Sequence, residues 1–291
     1  MRAATTTTNL VLGLLLAASV PVPACAPAKL DAFLYDPLPA PAGGYALDRG
    51  VIPAWEEITV ATPDGQTLHG VFIPSGGSRP DVTVIYFHGQ SNNLGTTWPR
   101  LEYLYPLGYN LVMVDPRGYG LSTGEPDEAG IGVDVRAIWD AVAARTADVD
   151  PSRLVIYGRS LGAALAIELG ATRARAALVT ESAFASVAAL VRDGAYVDFP
   201  RSFVARSSWD NLAKIGGIAA PYLALHGDAD PYVLPRYSTE LVAAHRTAQP
   251  ASESLLISVP GADHGDVPDR MGLTAYRAAL ATFVERALPP P

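Results

Sequence analysis

The chain has 291 residues, 49% apolar and 17% charged, enough for one large α/β domain or two small ones. A formal net charge of −8 without a basic stripe argues against a nucleic-acid partner. A single cysteine, Cys25, rules out an intrachain disulfide.

Residues 1–25 read as a signal peptide. Arg2 supplies the positive charge, Leu10 to Ala18 is apolar but too short to span a bilayer, and small residues follow. Two cleavage patterns stay open. Ala24-Cys25-Ala26 fits ordinary signal peptidase. Val22-Pro23-Ala24-Cys25 resembles a bacterial lipobox, with Pro23 a departure from it, and would make Cys25 an acylated first residue. The only cysteine standing at the end of the signal favours lipidation. Either way the expected location is extracytoplasmic: a bacterial cell-envelope lipoprotein anchored by its N-terminal lipid, or a secreted protein. Residues 26–54 are rich in Pro and Ala and read as a tether, with Leu34, Tyr35 and Leu38 docking on the domain that fills 55–291.

In the domain, Glu57 to Thr62 alternates at period two, Pro63-Asp64-Gly65 turns, and Thr67 to Ile73 returns, which predicts an antiparallel hairpin at a sheet edge. His69 is then a surface strand residue. Val82 to Phe87 is a near-continuous apolar run, as expected for a strand buried on both faces. It ends in His88-Gly89-Gln90-Ser91, and a helix follows with Thr97 as N-cap and Pro99 in its first turn. Asn110 to Val114 is another buried strand, ending in Asp115-Pro116-Arg117-Gly118-Tyr119-Gly120. A helix over 129–147 puts Ile131, Val135, Ile138, Trp139 and Val142 on one face.

Arg153 to Tyr157 is a strand and Ala163 to Leu169 a helix, and between them stands Gly158-Arg159-Ser160-Leu161-Gly162. A G-x-S-x-G at a strand-to-helix turn is the context of a nucleophile elbow. Ala176 to Thr180 is the next strand. Residues 186–217 are irregular and hold Tyr196, Phe199, Phe203 and Trp209, read as a short excursion over the site and not a lid domain. Strands follow at 221–225 and 253–259, with helices at 236–247 and 271–287. A hairpin followed by alternating strand and helix predicts a doubly wound, mostly parallel α/β sheet of about eight strands, helices on both faces and little or no lid.

Sites in such sheets gather at the carboxyl ends of strands. Ser160 is the candidate nucleophile and needs a base, which His264, after the last strand, can supply. A carboxylate must orient that imidazole, and Asp230 is the candidate. Asp228 lies close enough to its strand end to serve the turn, and Asp263 adjoins the base and points elsewhere. The order Ser160, Asp230, His264 is that of the α/β-hydrolase fold. The oxyanion hole takes the N–H of Leu161, at a helix N-terminus, and that of Gln90. His88 and His226 hydrogen-bond neighbouring loops, and His245 faces solvent from a late helix. No histidine has metal-ligand spacing, and no G-x-G-x-x-G follows the first parallel strand. No metal or cofactor is expected.

Together, Phe87-His88-Gly89-Gln90, Asp115 to Ser122, Gly158 to Gly162, His226 to Asp230 and Ala262-Asp263-His264 resemble the serine hydrolases of the α/β-hydrolase superfamily. They are most similar to the serine-aminopeptidase-like branch, and the likeness covers residues 55–288. It implies Ser160, Asp230 and His264 as a catalytic triad, with the N–H groups of Gln90 and Leu161 as the oxyanion hole. Relatives often carry Asn-Ala-Gly-Asn after the His-Gly, where this chain has Gln90-Ser91-Asn92-Asn93. The expected activity is hydrolysis of a carboxylic ester or thioester through an acyl-enzyme. Peptidase or acyltransferase activity on the same triad, and a non-catalytic envelope scaffold, are the alternatives. The substrate is a small or acylated molecule, and no oligomeric state is implied.

Overall fold

The computed structural model describes residues 30–194 and 206–291. The signal segment with Cys25, and Tyr196, Phe199 and Phe203, lie outside the described residues.

The chain enters through a short helix, α1 (Leu30–Tyr35), then forms the hairpin β1 (Glu56–Ala61) and β2 (Thr67–Ile73). Then come β3 (Thr83–Phe87), α2 (Leu94–Leu104), β4 (Asn110–Val114), α3 (Glu128–Ala143), β5 (Leu154–Arg159), α4 (Leu161–Thr172) and β6 (Ala177–Glu181). After them come α5 (Val187–Gly194), α6 (Asn211–Ile215), β7 (Tyr222–Gly227), α7 (Arg236–Ala248), β8 (Ser254–Val259), α8 (Val267–Met271) and α9 (Leu273–Ala287). The strands form one eight-stranded sheet in the order β1-β2-β4-β3-β5-β6-β7-β8. β2 runs antiparallel to both β1 and β4, and every other pairing is parallel.

Period-two alternation divides the central strands between two cores. Ile85 and Phe87 of β3 join Ile156 of β5 and Leu178 of β6 on the face covered by α3, α4 and α7. Val84, Tyr86, Val155 and Val179 point to the opposite face, under α2 and α9. Both faces of these strands are covered, so β3, β4, β6 and β7 are buried from end to end and mostly apolar. β3 is flanked by β4 on one side and β5 on the other. The chain therefore reverses direction across the sheet at β3, which opens a crevice at the carboxyl ends of β3 and β5.

Three local expectations are corrected. α2 begins at Asn93, not Thr97: the Asn93 side chain accepts from the Thr96 N–H at 3.0 Å, and Thr96 Oγ1 accepts from the Asn93 N–H at 3.0 Å. That reciprocal box starts the helix a turn earlier, leaving Thr97 buried and Pro99 inside the helix. His245 does not face solvent. It is fully buried between Ser254 Oγ, at 2.7 Å, and the Ile218 carbonyl, at 2.8 Å. At the entry to the fold, Leu34 and Tyr35 are buried, but the Leu38 side chain is 37% exposed. Leu38 docks through its backbone, whose carbonyl accepts from the Gly120 N–H at 2.9 Å.

Tyr35 explains how the entry segment is held. Its hydroxyl lies 2.5 Å from Ser207 Oγ and accepts from Trp209 Nε1 at 3.0 Å, and its carbonyl accepts from the Tyr119 hydroxyl. Trp209 is thereby a fully buried anchor, not a wall of the crevice. Among the described residues no helix is long and apolar enough to cross a membrane.

Candidate active site

β5 delivers Ser160 and α4 leaves from it. Ser160 has φ 56° and ψ −119°, a conformation that costs a non-glycine residue about 1–3 kcal/mol and persists only where the surroundings enforce it. Here they do. The Ser160 N–H donates to the Glu181 carbonyl at 2.9 Å, and the Ser160 carbonyl accepts from the Ala163 N–H at 2.9 Å. A Cβ on Gly158 would overlap the Gly162 carbonyl, and a Cβ on Gly162 would overlap the Phe87 carbonyl. Glycine at both positions lets strand and helix pass at van der Waals distance. Ala163, Ala164 and Ala166 are fully buried, so the helix lies close on the sheet.

The three candidate residues form one chain of hydrogen bonds. The Ser160 hydroxyl lies 2.9 Å from His264 Nε2, and His264 Nδ1 lies 2.7 Å from Asp230 Oδ2. Asp230 Oδ1 accepts the N–H groups of Tyr232 and Val233, each at 2.9 Å. Burial pushes the Asp230 carboxyl up, but the hydrogen bonds from His226, His264 and the Val233 N–H outweigh it and hold the group well below the ordinary carboxylate range. Asp230 is therefore an anion facing Nδ1, which fixes the tautomer that leaves Nε2 free to accept the serine proton. Asp228 instead accepts from the Gly261 N–H at 2.6 Å, and Asp263 from the Gly265 N–H at 2.7 Å.

His226 is a member of the site that the sequence did not reveal. It is buried, its Nδ1 lies 2.6 Å from Ser238 Oγ, and its Nε2 lies 2.8 Å from the Val233 carbonyl and 3.2 Å from Asp230 Oδ2. The i, i+4 spacing of His226 and Asp230 across a turn was the available signal. His88 Nδ1 bonds the Gly89 carbonyl at 2.7 Å, and its ring packs on Tyr119 with centroids 5.1 Å apart. His69 is only partly exposed, 3.5 Å from Glu57.

Ser160 and His264 open into a cavity of about 460 Å³, whose floor includes Gly89, Gln90 and Leu161. Leu161 is the first residue of α4, so its N–H has no intrahelical acceptor. The Gln90 N–H has no protein acceptor among the described residues. Two unengaged donors thus border the serine hydroxyl. The opposite wall is apolar, built from Leu34, Phe184, Leu190 and Val233, with Tyr232, 77% exposed, at the rim. Leu34, Tyr232 and Arg159 as lining residues of the cavity were not foreseen.

A family model described as the prolyl oligopeptidase family, Peptidase_S9, matches residues 99–289. The chain belongs to the prolyl oligopeptidase family. This family member is 36% identical over 249 residues to an uncharacterized protein of Mycobacterium tuberculosis, covering 82% of this chain and 84% of that one. It is 30% identical over 255 residues to the α/β hydrolase domain-containing protein WAV2 of Arabidopsis thaliana, covering 81% of this chain and 80% of that one. Its fold is similar to that of the esterase Pf2001 of Pyrococcus furiosus, with a TM-score of 0.68 and 21% identity over 86% of this chain and 98% of that one. It is an α/β hydrolase of the prolyl oligopeptidase type, and the sheet and helices have the arrangement expected of that fold.

Proposed function

We propose that the protein is a serine hydrolase that cleaves a carboxylic ester or thioester through an acyl-enzyme. The observation that carries this reading is the chain Asp230–His264–Ser160, at 2.7 and 2.9 Å, ending on a serine held at positive φ in an open cavity. His264 takes the Ser160 proton as Oγ attacks the scissile carbonyl, and Asp230 stabilises the resulting imidazolium. The N–H groups of Gln90 and Leu161 hold the oxyanion of the tetrahedral intermediate. His264 then protonates the leaving alkoxide or thiolate. Water, deprotonated by the same imidazole, releases the acid and restores the serine.

The size of the cavity and its wall of Leu34, Phe184, Leu190 and Val233 favour short acyl chains, or exposed acyl groups on larger molecules. We place the protein outside the cytoplasm on the strength of its N-terminal signal pattern, with Cys25 as the lipid-bearing residue. Fully extended, the chain from Cys25 to Leu34 reaches at most about 30 Å, so a lipid at Cys25 would keep the cavity close to the membrane surface. A second reading, peptide-bond cleavage, is favoured by the family match and by the motifs' likeness to serine-aminopeptidase-like hydrolases. It uses the same groups, with an amine as leaving group.

Labelling with a fluorophosphonate probe tests the reading. Wild type should label, Ser160→Ala should not, and His264→Ala should label far more slowly. A panel of ester, thioester and aminoacyl amide substrates then separates the two readings by kcat/KM. Folded wild type that does not label would overturn both.

A further inference from the structure

Arg159 immediately precedes the proposed nucleophile, and its guanidinium is poorly engaged. Nη1 is 3.4 Å from Asn92 Oδ1, and Nη2 is 3.5 Å from the His264 carbonyl. Both lie at the outer limit of hydrogen bonding. Nε is buried and has no hydrogen-bond partner among the described residues. The acid it faces, Glu181, is 3.8 Å away, beyond hydrogen-bonding reach.

Glu181 is already satisfied. It is fully buried, and Arg100 Nη1 donates to its two oxygens at 3.0 and 3.3 Å while the Tyr157 hydroxyl donates at 2.8 Å. One carboxylate therefore stands between two guanidiniums, and the surplus positive charge sits on Arg159. That charge borders two spaces. Arg159, Gly89 and Asn92 line both the cavity that holds Ser160 and a neighbouring pocket of about 140 Å³. The smaller pocket is also lined by Arg100 and by Thr97, whose buried hydroxyl has no partner among the described residues. Among the described residues no carboxylate lines either space. Asp36, which accepts from Ser91 Oγ at 2.6 Å, is an acid next to the rim.

A half-buried cation with weakly engaged donors, sharing a pocket with an idle hydroxyl and bordering the cavity of the reacting centre, is a receptor for an oxyanion. A guanidinium left with unmade hydrogen bonds gains most from a ligand that accepts two of them at once, as carboxylate and phosphate do. We propose that Arg159 is a specificity-determining residue, binding a carboxylate or phosphate group carried by the substrate whose carbonyl Ser160 attacks. This rests on the serine-hydrolase reading above and narrows its substrate class to anionic esters.

The test compares charged and neutral esters of matched size on the full chain. p-Nitrophenyl hydrogen glutarate is set against p-nitrophenyl pentanoate, which places the charge on the acyl side. Acetoxypropionate and acetoxyethyl phosphate are set against methoxyethyl acetate, which places it on the alcohol side and separates carboxylate from phosphate. Wild type should prefer at least one charged ester over its neutral partner in kcat/KM, and the preference should shrink with added salt. In Arg159→Gln the charged-to-neutral ratio should fall about tenfold or more, chiefly through KM, and Arg159→Lys should restore part of it. A purely structural role would lower both members of a pair together and leave the ratio unmoved. An unmoved ratio, or no charge preference in a wild type that labels with fluorophosphonate, overturns the anion site alone. Absence of labelling overturns the hydrolase reading and this proposal with it.

Discussion

The Oδ2 atom of Asp230 lies 2.7 Å from Nδ1 of His264. The same oxygen is 3.2 Å from His226, and the other oxygen takes two backbone N–H groups. The carboxylate thus stays ionised and cannot rotate away from the imidazole. Asp230→Asn keeps the shape and removes the charge. Its kcat should fall about 10³–10⁴-fold on any ester the wild type turns over, with an unchanged circular dichroism spectrum. A loss of less than about tenfold would show that His264 does not need the anion.

The elbow depends on two positions without side chains. A methyl group on Gly162 would meet the backbone carbonyls of Phe87 and His88, which belong to a buried strand end and cannot retreat. Gly162→Ala should lose about 3 kcal/mol or more of stability, or fail to fold. Urea denaturation of the soluble fraction measures it. A stable, active Gly162→Ala would mean that the helix start is not in contact with the Phe87 and His88 carbonyls.

Arg117 is a structural arginine in the loop after β4. Its Nε and Nη2 donate to Asp134 at 2.7–3.0 Å, its N–H donates to the same carboxylate at 2.9 Å, and Nη1 lies 2.8 Å from Asp64. Asp134 is fully buried. Arg117→Met leaves that acid without its cation and should cost about 3–5 kcal/mol. Adding Asp134→Leu should recover much of the loss. Chemical denaturation of the single and double variants decides the point.

His245 gives stability a pH dependence. Burial lowers its pKa in the fold, against the opposing pull of the Ile218 and Ala220 carbonyls. The unfolded chain, with an ordinary histidine pKa of about 6.5, therefore binds more protons over the window below that value. The stabilisation is complete above about pH 6.5 and is lost as the pH falls toward the lowered folded value. His245→Gln should cost about 1–3 kcal/mol at neutral pH. The gap in Tm between wild type and His245→Gln should narrow between about pH 7.5 and pH 5. A gap independent of pH would show that His245 does not titrate differently in the fold.

Sequence by itself determined the succession of strands and helices and named the residues on which the proposed chemistry rests. Strands buried on both faces, such as Thr83–Phe87 and Asn110–Val114, are apolar along most of their length, and the polar residues that the crevice uses stand at their ends. Ser160 and Asp230 were legible because each follows a buried run at a strand end, and His264 because it follows the half-buried edge strand β8, each in a turn with its own residue pattern. Tertiary structure alone decided what depends on contacts between distant segments. Asn93 and Thr97 are both good caps, and only the backbone shows which one starts α2. His245 sits on a helix face that looks amphipathic in sequence, yet that face packs against the start of β8 and the loop before β7. The entry segment read as a tether with Leu34 and Tyr35 docked on the domain, but only the structure shows that Leu34 docks at the cavity, where Tyr35 is fastened to Ser207 and Trp209, more than 170 residues away. Arg159 looked like the variable residue of an elbow motif. Its surplus charge exists only because Arg100, from α2, already neutralises Glu181 at the end of β6, and no local pattern encodes a charge balance assembled from three separate elements.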